Sequence, residues 1–116
     1  MRKDDLVRLR HMLDSAREAQ GFAHGRQRSD LDHDRMLTLS LVKCVEIIGE
    51  AASKVSDETR EAYSALPWVD IVGMRNRLIH GYFDIDLDRV WDTVNDDLPM
   101  LVAKLEPIVS RMSRGP

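Results

Sequence analysis

From Leu87 to Met112 the apolar residues fall at Leu87, Trp91, Val94, Leu98, Leu101, Leu105, Ile108 and Met112, steps of four and three without a break. Only an α-helix with one buried face brings such positions side by side, since a strand needs alternation by two. The same rhythm runs through Leu37, Leu41, Cys44, Ile48, Ala51 and Val55, and more briefly through Leu6, Leu9, Leu13 and Ala16. No stretch alternates convincingly as a strand, and no repeat or low-complexity run interrupts the pattern. The chain is therefore expected to be all-α, a bundle of four or five helices.

Punctuation places the boundaries. The first helix is expected over Asp4 to about Gln20, followed by a loop from Gly21 to Asp30. Ser29 or Asp30 is the expected cap of the second helix. Ser56 is the expected cap of a short third one, with Asp57 and Glu58 in its first turn. Pro67 suits the first turn of a fourth helix running through Trp68, Ile71, Val72 and Ile79 to His80, with Gly81 ending it in a left-handed turn. Pro99 and Pro107 each remove a backbone donor from the last helix, which starts near Asp86. Its apolar register continues past both, which predicts one kinked helix rather than two.

With 116 residues the chain has room for one domain, 1–116, and one core. Aromatic residues make up only 5%, so that core must be built from Leu, Val, Ile, Met and Ala. A core so small and aliphatic gains from a second copy, and a homodimer or higher oligomer is expected. The net charge of −3 argues against a general nucleic-acid coat but leaves room for a nuclease with a local basic cleft. The single cysteine, Cys44, sits on an apolar seam and reads as a core residue. Met1-Arg2-Lys3 runs straight into Asp4-Asp5, and no segment approaches the ~20 apolar residues of a membrane span. A cytoplasmic protein without membrane contact is expected.

Several tempting constellations fail. Asp30, Asp32 and Asp34 alternate like the start of a calcium loop, but Arg35 stands where the glycine belongs and Leu41 where the closing glutamate belongs. His11, His24, His33 and His80 lack metal-ligand spacing, so no metal and no cofactor are expected.

The segment from Met74 to Phe83 is different, because it gathers Arg75, Asn76, Arg77, His80 and Tyr82. On an ideal helix Asn76 and His80 share a face, while Arg75 and Tyr82 lie almost two turns apart on a neighbouring one. Arg75 and His80 are not on one stripe, so the long arginine stem or a distortion near Gly81 must bring them together. Periodicity leaves two readings open. Either the arginines are solvated and His80 caps a helix end, or the group handles phosphate. Glu50 beside the second seam is either an exposed residue on its edge or a partner that fixes a motif arginine.

Arginine, four residues, histidine, one residue, tyrosine resembles the motif of the HepT-like toxins of the HEPN ribonuclease superfamily, carried here by Arg75, His80 and Tyr82. The resemblance extends to Glu46-Ile47-Ile48-Gly49-Glu50-Ala51-Ala52, to Leu66-Pro67-Trp68 and to the run from Asp84 to Leu98. It thus covers most of the chain from Leu31 onward. It implies a HEPN-type bundle, dimeric, with its site at the interface between copies. It implies a metal-independent endoribonuclease acting on RNA, with tRNA the expected target, as the toxin of a type VII-like toxin–antitoxin pair. The implied partner is an MntA-like minimal nucleotidyltransferase antitoxin that adenylylates the motif tyrosine, here Tyr82. In that chemistry Arg75 would hold phosphate, His80 would act as general base or acid, and Asn76 would orient the ring or contact phosphate. Arg77, Arg26 and Arg28 would line the RNA cleft, and a two-fold dimer would supply a second histidine. The acidic residues Asp84, Asp86 and Asp88 are not what an RNA surface would choose. Two competing roles remain: a catalytically inactive helical binding module that holds the nucleotidyltransferase, and a plain helical dimerisation domain.

Overall fold

The three apolar seams become the three long helical runs of the molecule. The computed structural model describes residues 3–114. Helix α1 (Lys3–Ala23) buries Leu9, Met12, Leu13, Ala16 and Ala19. A single turn, α2 (Asp30–His33), leads into α3 (Arg35–Ser53), whose seam from Leu37 to Ala51 is buried throughout and continues into Val55. Two short helices follow, α4 (Asp57–Ala62) and α5 (Trp68–Val72). The chain then makes one 3-10 turn at Arg75–Arg77 before α6 (Leu87–Asp92), a wide π turn at Thr93–Asp97 and α7 (Leu98–Ser113). Helix α1 packs along α3 and α7, and α5 lies on α3. The all-α bundle expected from the sequence is what forms.

Caps set several boundaries. Ser56 accepts the Thr59 N–H at 3.3 Å and caps α4 as expected. The cap of α3, however, is Asp34 rather than Ser29 or Asp30: its carboxylate accepts the Leu37 N–H at 3.0 Å. That hydrogen bond, with Arg26 adding, holds the Asp34 carboxyl below the usual carboxylate range. Asp30 instead accepts the Gln27 N–H in the preceding turn. Helix α1 also runs three residues beyond Gln20, to Ala23, because Ala23 is itself buried. The start of α1 is tied to the start of α4 by a buried carboxylate. Asp5 accepts the Ser56 N–H at 3.0 Å and the Ser56 and Thr59 hydroxyls at 2.6 Å each.

The last seam forms one unbroken helical run from Leu87 to Ser113. The departure from regular geometry is the π turn that ends at Asp97, two residues before Pro99, whose missing N–H would leave an α turn one bond short. Pro107 lies inside α7 without ending it.

The expected fourth helix from Pro67 to His80 does not form. It stops at Val72, and the N–H groups of Met74, Asn76, Arg77 and Leu78 each bond three residues back. The buried residues here, Trp68, Ile71 and Met74, recur every three positions, which suits a tighter winding than the α-helix, and Gly73 is a weak helix former at the junction. Leu78 is fully buried and anchors the far end of this connection. Helix α5 reaches α3 closely at Gly49, where a Cβ would lie 3.2 Å from the Val72 carbonyl oxygen. Trp68 fastens the same helix from behind, donating its indole N–H to the Tyr63 carbonyl and lying under the Arg60 guanidinium.

Candidate active site

The residues from Ile79 to Ile85 form a small antiparallel return, not a helix end. Ile79 and Ile85 pair, the His80 N–H donates to the Asp84 carbonyl at 2.7 Å, and the Asp86 N–H donates to the Leu78 carbonyl at 2.7 Å. Gly81 does adopt the left-handed conformation expected of it (φ +88°), but to turn this return rather than to close a helix. His80 therefore caps nothing, and the shared helical face expected for Asn76 and His80 does not exist.

Each motif side chain has a definite place. Arg75 lies on the 3-10 turn, its Nε 3.8 Å from Glu46 of α3 and its guanidinium 3.5 Å from the side-chain amide oxygen (Oδ1) of Asn76. Arg75 and Asn76 line an open groove of about 640 Å³ bounded by α1 and α3. His80 is exposed on the return outside that lining, with Nε2 3.5 Å from the Asp86 carboxylate. Asp86 also caps α6 through the Arg89 N–H, and that bond, with His80 adding, keeps its carboxyl below the usual range. Tyr82 is 95% exposed at the tip of the return, edge-on to the exposed Phe83. Its ring is not packed against the last helix.

The supporting residues fare less evenly. Glu50 does line the groove, but it pairs with Lys54 at 3.5 Å and stays largely exposed; the carboxylate facing a motif arginine is Glu46, one turn earlier. Arg77 points away, to the Asp70 carbonyl at 2.8 Å and its carboxylate at 3.8 Å. Arg26 is held by Asp34 at 2.7 Å and Asp30 at 3.4 Å, and Arg28 by Asp88 at 2.6 Å and Asp32 at 3.1 Å. None of these three arginines lines the groove that holds Arg75. The acidic residues that looked ill-suited to RNA thus have local work: Asp86 faces His80 and Asp88 holds Arg28.

The groove adds residues that motif reading missed. Lys43, Glu46 and Glu50 of α3 and Lys54 at its C-cap form a polar stripe at steps of three and four, parallel to the buried seam. Opposite them stand Arg8 and His11 of α1, three residues apart on one face. Four cations face two carboxylates, so the groove is locally positive in a chain that is negative overall. The periodicity of the stripe was available in the sequence; its apposition to Arg8 and His11 was not.

The comparisons decide the family. The family model described as "Ribonuclease HepT-like" matches residues 12–108. The chain belongs to the HepT-like ribonuclease family. A protein named "Putative RNase" from Caldanaerobacter subterraneus subsp. tengcongensis is 34% identical over 103 residues, 89% of this chain and 92% of its own length. A "Putative RNase" from Methanocaldococcus jannaschii is 31% identical over 105 residues, 90% of this chain and 96% of its own length. A second protein of that organism, "Gamma-glutamylcyclotransferase and putative RNase", is 32% identical over 115 residues. The match takes in 99% of this chain but only 52% of that protein. No solved structure matches the chain. For a HepT-like ribonuclease the bundle and the enzyme class are those the motif implied. Among the described residues, no helix is long and apolar enough to cross a membrane.

Proposed function

We propose that this HepT-like ribonuclease is the toxin of a toxin–antitoxin pair, an endoribonuclease that cuts RNA, tRNA above all, at the groove holding Arg75. The observation that carries the reading is Arg75 itself, braced by Glu46 at the edge of a locally positive groove, while the motif histidine, five residues on, stands exposed outside its lining. RNA supplies its own nucleophile. The ribose 2′-oxygen attacks the adjacent phosphorus, the bond from phosphorus to the 5′-oxygen breaks, and a 2′,3′-cyclic phosphate and a 5′-hydroxyl result. Arg75 neutralises charge on the phosphate as it develops, with two parallel N–H donors suited to phosphate oxygens. His80, its Nε2 lying 3.5 Å from the Asp86 carboxylate, exchanges a proton with the substrate. Asn76 sets the guanidinium plane. Arg26, Arg28 and Arg77 contribute to RNA binding only by exchanging their present carboxylate and carbonyl partners.

Two copies meeting through α5, whose Val69 is 86% exposed, bring both motifs beside one RNA. An MntA-like nucleotidyltransferase silences the site by transferring AMP to Tyr82. The phenolic oxygen attacks the α-phosphorus of ATP, pyrophosphate leaves, and the phenolic proton passes to the partner enzyme. Added negative charge and a nucleoside beside His80 then exclude RNA phosphate.

The test incubates purified protein with tRNA in excess EDTA, then adds an MntA-like nucleotidyltransferase with magnesium-ATP. Cleavage to cyclic-phosphate ends, lost in His80→Ala, followed by gain of AMP on Tyr82 and silencing, is the expected result. A wild-type protein that cuts no RNA would favour the binding-module alternative. A Tyr82→Phe variant silenced as well as wild type would move the modification elsewhere.

A further inference from the structure

Three aspartates follow the motif at alternate positions, and the return sorts them. Asp88 is taken up by Arg28 at 2.6 Å, and Asp84 meets His80 through its main-chain carbonyl. The carboxylate on the motif ring is that of Asp86, with Oδ2 3.5 Å from Nε2. The backbone explains the choice. Across the pairing of Ile79 with Ile85, residues 80 and 84 stand opposite one another, and so do 78 and 86. Side chains 80 and 86 therefore fall on one face of the return, diagonally across it, a separation that an imidazole and a carboxylate can close. The carboxylate is the fixed member of the pair. Its other oxygen accepts the Arg89 N–H at 3.0 Å as the cap of α6, and the Asp86 N–H is held by the carbonyl of the fully buried Leu78. Its side chain is 35% exposed against 60% for His80. An ionised carboxylate accepts hydrogen bonds and donates none, so it selects the imidazole form that carries its hydrogen on Nε2.

We propose that Asp86 is the positioning residue of the motif histidine: it holds the His80 ring in one orientation and in the Nε2–H form, which leaves Nδ1 as the nitrogen that exchanges protons. The idea rests on the ribonuclease reading above and deepens it. A proton that His80 takes up enters at Nδ1, and the imidazolium keeps its Nε2–H on Asp86. A proton that His80 gives up leaves from the same Nδ1. Asp86 itself neither gains nor loses a proton in either direction. Each copy of a two-fold pair carries its own Asp86, so both motif histidines of a dimer are set in the same way.

Serine caps a helix about as well as aspartate does, so Asp86→Ser takes the carboxylate from His80 and leaves α6 its cap. Nitrogen-15 NMR of the full-length protein at about pH 8.5, where an ordinary imidazole is neutral, reads the tautomer directly. The expected result is a His80 wholly in the Nε2–H form in wild type and a mixture of both forms in Asp86→Ser. Cleavage of a short RNA in EDTA should fall about tenfold in kcat, the low end for a carboxylate lost from behind a working histidine, with KM and thermal midpoint little changed. On the residual activity of His80→Ala the same substitution should cost nothing more, because Asp86 acts through the ring. A wild-type His80 that is already a mixture, or in the Nδ1–H form, overturns the proposal. So does Asp86→Ser at the wild-type kcat, or a deficit that persists undiminished without His80. His80→Ala cutting RNA at the wild-type rate would instead bring down the role of His80 in the ribonuclease reading, while the tautomer, measured without RNA, still decides what Asp86 does to the ring.

Discussion

The bundle and the segment that follows α5 are built on opposite terms. Along α1 and α3 each buried residue is held by several neighbours, and Leu9, Leu41, Val45 and Ile48 are fully enclosed. From Gly73 to Asp86 the chain turns on three-residue hydrogen bonds and one isolated strand pairing. Its polar side chains face solvent, while Met74 and Leu78 pin it to the core. The contrast teaches that stability and chemistry sit on different residues of this small protein. A site can be irregular and exposed when a few buried side chains fix where it stands.

Substitutions on the two sides should therefore separate cleanly. Ile48→Ala, in the enclosed seam of α3, should cost about 2–5 kcal/mol in urea unfolding, while the folded fraction keeps its cleavage rate. Arg75→Ala and His80→Ala should do the reverse. Cleavage should fall ~100-fold or more, about 2.7 kcal/mol of transition-state stabilisation, with unfolding free energy within about 0.5 kcal/mol of wild type. If either variant unfolds as readily as Ile48→Ala, the separation is broken and the residue is structural.

Asp5 tests the comparison from within the core, because it is a polar group doing a packing residue's task. Asp5→Ala removes the acceptor of three hydrogen bonds and should cost about 1–3 kcal/mol by the same unfolding assay, without a specific effect on kcat. Glu46 tests it from the site. Glu46→Gln should lower cleavage several-fold with unchanged stability. The effect should vanish in an Arg75→Ala background, and a full effect there would show that Glu46 does not act through Arg75.

The smallest effect concerns Cys44. Burial, with Glu18 adding, pushes its thiol up from an ordinary value of 9.0 to about 11. The folded value is raised, so this contribution to stability is fully present below about pH 9 and drains away as pH rises toward 11. At neutral pH nothing should change. Comparing the alkaline unfolding profiles of wild type and Cys44→Ala should show the steeper decline in wild type.

The same contrast explains what could be read beforehand. The seams at 37–55 and 87–112 declared themselves because a buried helix face repeats in sequence. The segment after Pro67 misled because Trp68, Ile71, Val72 and Ile79 also fit a helical rhythm. The competing signals were slight: a glycine at 73 and large apolar residues at 68, 71 and 74, every third position. The pairing of Ile79 with Ile85 spans one bridge, too little alternation to register as strand. Arg75, His80 and Tyr82 were legible as a motif. Glu46 in place of Glu50, and the partners that occupy Arg26, Arg28 and Arg77, depended on how helices pack and which carboxylates come near. A single sequence states those only through the finished fold.

Gly49 joins the two regions. A glycine in mid-helix gives up about 0.5–1 kcal/mol relative to alanine, and here it lets the backbone of α5 come within reach of α3. Arg75 follows Val72 by three residues, so its station over Glu46 is set by a gap between two main chains rather than by any side chain. The thickness of that gap works as a calibration. An added methyl would be a shim of a few tenths of an ångström, its crowding offset in part by better helix propensity, and it would carry the guanidinium off its mark. Position 49 thus offers a way to obtain a folded chain with weakened chemistry while leaving every charged residue of the site in place.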